Sequence, residues 1–470
     1  MVGNKKLRDF FQLSHILKYF IALSSLLTLT AGVTNFNNHN LKIISNNRFE
    51  LNASLFNNES NFAFSLLIIS IVLLTLPQQH EEEKEKITTL ERVQKAGYSC
   101  EVHDTITKDG YVIRVFRVKN ATSSTTNDED TSTTAPPPAV LLNHGLTSTS
   151  DCWAIEGLSN SLAFELVDKG YDVWLGNTRG NRYGINHLNI SSKDAEFWNY
   201  SVDEIATIDL PQIIDFILAH TKHLSLHYVG YSQGGTLGFI LLSMLPEYNQ
   251  KFTSITMLAP IVFTKDSSAP LWYLSSLLGF HTPLHSAIGT IALFRPAIVR
   301  QLLGFDLCRK GHVSKKYCSF VIFRALGGYS AYFDEAILQD VYSSHPSTCS
   351  MHQVMHFMQM HYTNKFCQYN FGPEGNQLRY NRTTPPEYNL TNIKPKFPIH
   401  IFYSDYDEHL SKTDAEGLIG IMGNRSVGHF IDVEHFSHID FIWGSKTREY
   451  INQPVADIMM NAEAFKQNNL

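Results

Sequence analysis

A chain of 470 residues is long enough for one large core with appended segments, or for two domains. Hydrophobic residues at 43% and charged residues at 17% exclude a disordered polymer, and a net charge of −6 without a basic block argues against nucleic acid as the main partner. The six cysteines are too scattered for a disulfide-framework mini-protein and lack the C-x-x-C pairs of a zinc site.

In chain order, Lys5, Lys6 and Arg8 precede an uncharged apolar run from Tyr19 to Val33. A second such run, Phe62 to Leu76, ends at Pro77. Each is shorter than the roughly 20 residues of a comfortable membrane span. A signal anchor, a two-helix membrane hairpin and a cleaved signal at either run all fit, and all direct the chain into the secretory pathway. The N-x-[ST] sequons at Asn189, Asn199, Asn381 and Asn389 agree with a lumenal or extracellular address. Cys308 and Cys318 are close enough in sequence to bridge in such a compartment.

The charged stretch Gln78–Lys86 reads as a solvated linker, so the division expected is 1–86 for the apolar segments and linker and 87–470 for a globular domain. Two alternating strands flank the turn Lys108–Gly110, a hairpin signal. Lys119–Pro138, rich in Ser, Thr, Asp and Pro, reads as a surface loop. The apolar run Ala139–Leu142, a helix over Ile155–Lys169 and a second run from Tyr171 form a strand–helix–strand unit. Ser201–His220 has apolar residues at helical spacing, opened by a capping box of Ser201 and Glu204.

That helix leads into HYVGYSQGGTLG, His227 to Gly238. GYSQG fits the G-x-S-x-G nucleophile elbow, which requires a strand before it and a helix after it. A serine at the apex of so tight a turn projects its Oγ above the sheet edge. The start of the following helix aims backbone N–H groups at a developing oxyanion. Phe252–Val262 is the next strand. From about 263 to 375 the alternation lapses into apolar, aromatic and Met-rich segments, which read as a helical cap over the sheet edge. Alternation resumes at His400–Asp407 and ends in a helix from about Lys446. The whole is an α/β protein with an open, mostly parallel sheet whose site lies at its carboxyl edge.

A serine hydroxyl needs an imidazole to take its proton and a carboxylate to orient that imidazole. In this topology the order along the chain is Ser, acid, His. With Ser232 as nucleophile, Asp407 follows a later strand as the acid and His438 lies beyond it as the base. Asp405 competes with Asp407, and His435 with His438. Asp414 reads better as a helix cap, and Asp440 follows His438 too closely to face it. One oxyanion donor is expected from the amide of Gln233. The other comes from the loop His144-Gly145-Leu146, where Leu146 N–H is the natural donor and His144 shapes the turn.

These segments together resemble the acid lipases of the lysosomal and gastric type, within the α/β-hydrolases. The resemblance rests on GYVIRVFRV, NHGL, DVWLGNTRGN, FWNYSVDEIATIDLP, GYSQGG and HIDFIWG, and runs from about Thr88 to the C-terminus. It implies Ser232, Asp407 and His438 as the triad, Leu146 and Gln233 as oxyanion donors, and a Cys308–Cys318 disulfide in the cap. It also implies hydrolysis of triacylglycerols or steryl esters at a membrane, lipid-droplet or emulsion interface, with no metal and no diffusible cofactor. Operation in acid is a further implication, and it needs His438 to stay unprotonated there. Departures are Tyr231 where the family has histidine, Asn143 where many members have glutamine, and Glu408-His409 before Leu410 where the family has D-W-L. A lipid acyltransferase using the same triad, or an inactive lipid-binding relative, is the alternative; oligomeric state is not legible.

Overall fold

The structure, a computed structural model, describes residues 41–44, 48–51, 87–121, 136–155, 161–273, 275, 289–295, 308–311 and 314–468. The apolar runs Tyr19–Val33 and Phe62–Leu76, the linker Gln78–Lys86 and most of the loop Lys119–Pro138 lie outside these residues. Two units divide the chain. In Met1–Phe64, the strands Leu41–Ile44 and Arg48–Leu51 pair antiparallel. All that follows concerns Ser65–Leu470.

Its sheet contains the strands β1 (Tyr98–Ile106), β2 (Tyr111–Asn120), β3 (Ala139–Asn143), β4 (Asp172–Leu175), β5 (Leu226–Tyr231), β6 (Phe252–Leu258), β7 (Ile399–Ser404) and β8 (Ser426–Ile431). In space they run β8-β7-β6-β5-β3-β4-β2-β1, with the short strand Asn186–His187 pairing to β2. Strands β4, β3, β5, β6, β7 and β8 are mutually parallel, and the β1–β2 hairpin is antiparallel. β3, β5, β6 and β7 are buried along their whole length. Helices cover both faces there, so these strands read as continuous apolar runs, whereas the edge strand β8 is half exposed. The order reverses at β3, which has β4 on one side and β5 on the other. Such a switch point opens a crevice at the carboxyl ends of the strands.

The α/β expectation is therefore borne out, with local differences. Of the helix expected over Ile155–Lys169 the structure describes Leu162–Asp168, residues 156–160 lying outside the described residues, and a 3₁₀ turn at Ser150–Trp153 comes before it. The Ser201/Glu204 capping box forms, but the helix passes through a π segment, Ile205–Asp209, before continuing as Leu210–Thr221. Pro211 has no N–H to give to the regular ladder, and the chain widens by one residue just before it.

The motif DVWLGNTRGN has a structural explanation. Arg179, almost wholly buried, holds Asp209 at 2.6 Å and Asp109 at 2.7 Å and lies 4.0 Å over the Tyr111 ring. One guanidinium thus joins the hairpin, the β4 exit and the Ile205–Asp209 segment. Between β6 and β7 the described residues form the helices Lys315–Ala325 and Met351–Thr363 among shorter pieces. A small pair of strands, Ala292–Leu293 with Cys349–Ser350, is also present there and was not expected. Cys308 and Cys318 are joined by a disulfide.

Candidate active site

β5 ends at Tyr231, and a helix begins at Gln233. Ser232 alone makes the corner, with φ 53° and ψ −117°. That is a strained backbone for a residue with a Cβ. Hydrogen bonds to both sides hold the corner. Ser232 N–H donates to the Leu258 carbonyl at 2.8 Å, and Gly235 N–H donates to the Ser232 carbonyl at 2.9 Å. The glycines are required by contact. A Cβ on Gly234 would lie 2.4 Å from the Asn143 carbonyl oxygen, and one on Gly230 would lie 2.6 Å from the backbone of Gly234. The helix can approach the sheet this closely only without those methyl groups.

Asn143 is in register with Gly230, so the His144–Leu146 loop leaves β3 beside the corner. Buried His144 shapes that loop. Its Nδ1 lies 2.8 Å from the Gly145 carbonyl, so it carries the proton, and Nε2 accepts from the Asn181 amide at 3.1 Å. Burial pushes this imidazole down to about 4, which keeps it neutral. Both of its nitrogens are committed, Nδ1 within its own loop and Nε2 to the segment that follows β4. Among the described residues, neither Leu146 N–H nor Gln233 N–H donates to a backbone carbonyl, so both remain available.

Asp407 and His438 come from the loops after β7 and β8. His438 Nδ1 and Asp407 Oδ2 are 2.6 Å apart with both side chains almost wholly out of solvent. The other carboxylate oxygen accepts from His409 N–H at 2.8 Å and Leu410 N–H at 3.1 Å. The loop bearing His438 is fastened by three neighbours. Asp440 accepts from Ser437 N–H at 2.7 Å and from Ser330 Oγ at 2.6 Å, and Ser404 Oγ donates to the Phe436 carbonyl. Burial pushes the Asp440 carboxyl up to about 7.

Tyr231 ties this loop to the elbow. Its hydroxyl donates to the His438 carbonyl at 3.0 Å, and its ring lies 5.1 Å from the imidazole. The departure from histidine at position 231 thus has a local role. Tyr231 thereby sets Ser232, its neighbour in the chain, beside the loop that carries His438, and among the described residues no hydrogen bond joins the Ser232 hydroxyl to the ring. Such contacts commonly tighten only when substrate is bound.

The rivals fall elsewhere. Asp405 is exposed, and His435 is exposed beside Glu434. Asp414 accepts from Ser411 Oγ at 2.7 Å at the start of the helix Lys412–Met422. Asp440 braces the histidine loop rather than facing the ring. Sequence reasoning did not single out His409, whose ring meets His438 edge-on at 5.0 Å, or Gln353, whose amide reaches Gln233. Only a contact between segments distant in sequence reveals either. Far from this site, Glu101, His103 and His220 bring metal-ligand atoms together, but Arg117 and Lys119 already hold the carboxylate.

A strand–serine–helix corner at the switch point of a sheet in this order, with an aspartate–histidine pair on the loops after β7 and β8, defines an α/β-hydrolase. The family described as alpha/beta hydrolase fold matches residues 138–282, and the partial alpha/beta-hydrolase lipase region matches residues 89–157. Lipase 1 of Drosophila melanogaster is 30% identical over 387 residues, covering 82% of each chain. The gastric triacylglycerol lipase of Bos taurus is 33% identical, over 77% of this chain and 88% of its own. Lipase member K of Homo sapiens is 33% identical, over 79% and 90%. The chain belongs to the acid lipase family of the α/β-hydrolases, and it is a carboxylic ester hydrolase of the lipase type.

Proposed function

We propose that the protein hydrolyses carboxylic esters of long apolar acyl chains, triacylglycerols or steryl esters, with Ser232 as nucleophile, His438 as base and Asp407 as its orienting acid. The observation that carries this reading is the buried 2.6 Å contact of His438 Nδ1 with Asp407 beside the Ser232 corner. A carboxylate on Nδ1 fixes the proton there and leaves Nε2 as the acceptor. Ser232 then attacks the ester carbonyl while Nε2 takes its proton. The tetrahedral oxyanion forms against the amides of Leu146 and Gln233, which have no competing backbone acceptor among the described residues. The imidazolium gives its proton to the leaving alcohol, and water repeats the cycle on the acyl-enzyme.

Residues of about 263–375 act as a cap. Val354 and Met358 from this region pack with Leu146, Leu271 and Leu293 beside the oxyanion loop, an apolar wall suited to an acyl chain. The catalytic domain occupies 87–470 and works in the secretory pathway. Exposure of the sequon asparagines Asn189, Asn199, Asn381 and Asn389 supports that address, as does the Cys308–Cys318 bridge. The lipid is met at a membrane, droplet or emulsion surface.

The test is turnover of a long-chain triacylglycerol and a steryl ester by wild type, Ser232→Ala and His438→Gln, with folding checked by circular dichroism. The expected result is turnover of at least one ester by wild type and none by either variant. A folded Ser232→Ala protein that keeps its rate would refute the reading.

A further inference from the structure

The helix Met351–Thr363 touches both halves of the candidate oxyanion hole. From its first turn, Gln353 Nε2 donates to Gln233 Oε1 at 2.6 Å, with both residues buried. Val354, the next residue, and Met358, one turn further, belong with Cys349 to the apolar cluster against which Leu146 packs. The segment entering the helix adds a third hold, since Ser347 N–H donates at 2.7 Å to the carbonyl of Thr147, the residue after Leu146. Thr147 has φ 54°, so the loop that presents the Leu146 amide is itself strained and needs support from outside.

The Gln–Gln contact is an unusual choice for a buried interface. It forms one hydrogen bond and leaves Gln233 Nε2 and Gln353 Oε1 buried without a partner. Exchanging O and N in both amides leaves the same number of atoms unpaired, so the cost belongs to the arrangement. An apolar pair would avoid this desolvation penalty but would hold Gln233 with no directionality. A 2.6 Å hydrogen bond between the two side-chain amides fixes the Gln233 side chain in one place, and with it the first turn of the helix whose N–H faces the substrate.

We propose that Gln353 is a positioning residue for ester hydrolysis, acting through Gln233 to hold the oxyanion donors in place, so that seating of the cap and competence of the site are one event. The inference rests on the reading of Ser232 given above. Gln353 touches no reacting atom. Its effect belongs in the transition state, where the oxygen becomes charged, and hardly at all in ground-state binding.

The test is a double-mutant cycle of Gln353→Leu and Gln233→Leu on a soluble short-chain p-nitrophenyl ester, with Ser232→Ala in parallel. Removing an oxyanion donor costs roughly 10²–10³ in kcat, so displacing one is expected to cost about tenfold, with KM within about twofold. The double variant is expected to lose no more than the worse single variant, because the second substitution removes a contact already gone. A general loss of packing would instead make the losses multiply. Wild-type kcat in Gln353→Leu, or multiplying losses, overturns the inference and leaves the Ser232 reading standing if Ser232→Ala is dead. An active Ser232→Ala enzyme removes both. If Gln353→Leu does not fold, Gln353→Met and Gln233→Met preserve length and flexibility and read the same coupling.

Discussion

Asp407→Asn tests the orienting acid with little change in shape. One carboxylate oxygen is already fixed by two backbone amides, His409 N–H and Leu410 N–H. In the variant, the amide oxygen takes that position because an NH₂ group there would face two donors. The NH₂ then points at His438 Nδ1, where the carboxylate oxygen now sits at 2.6 Å. Nδ1 must accept, the ring proton moves to Nε2, and the base can no longer take the serine proton. A triad with its histidine in the wrong tautomer loses about 10⁴ in kcat, or ~5.5 kcal/mol of transition-state stabilisation. The assay is kcat on a soluble ester at neutral pH, with melting temperature measured alongside. Asp405→Asn is the control, since that residue is exposed two positions away, and it is expected to keep the wild-type rate. A folded Asp407→Asn enzyme within tenfold of wild type would refute the reasoning, as would a large loss in Asp405→Asn.

Other consequences follow from the packing. Gly234→Ala puts a methyl group 2.4 Å from the Asn143 carbonyl oxygen, so the melting temperature is expected to drop by an amount equivalent to about 1–3 kcal/mol, and activity with it. Arg179→Met leaves Asp209 buried without its cation and is expected to cost about 3–5 kcal/mol, measured by urea unfolding. Asp440 is held near 7, above its ordinary 3.8, so the folded state keeps a proton that the unfolded chain has released over that window. Its contribution to stability is therefore present in acid and lost as pH rises toward 7, by up to ~4 kcal/mol, and Asp440→Asn is expected to flatten that slope in unfolding series at pH 5 and pH 8.

The fold was legible because β3, β5, β6 and β7 are buried on both faces and are written as short apolar runs separated by helical spacing. The elbow was legible because its glycines answer to contacts between neighbouring elements. Asp405 and Asp407 were hard to separate because both follow the same strand. What distinguishes them is the pair of amides on Asp407 Oδ1 and the ring on Oδ2, contacts that depend on how the loop folds back. The π segment before Pro211 is a backbone adjustment that periodicity does not register. Gln353 was invisible for a different reason, since its partner lies 120 positions away and a lone glutamine in a Met-rich helix carries no local signal.

The most direct measurement is peptide mapping by mass spectrometry after reaction with a long-chain alkyl phosphonate, for wild type and His438→Gln. The account predicts one adduct on the peptide carrying Ser232, with loss of ester hydrolysis in step, and almost none in the histidine variant. Modification of a different residue, or hydrolysis that continues with Ser232 fully blocked, would contradict it.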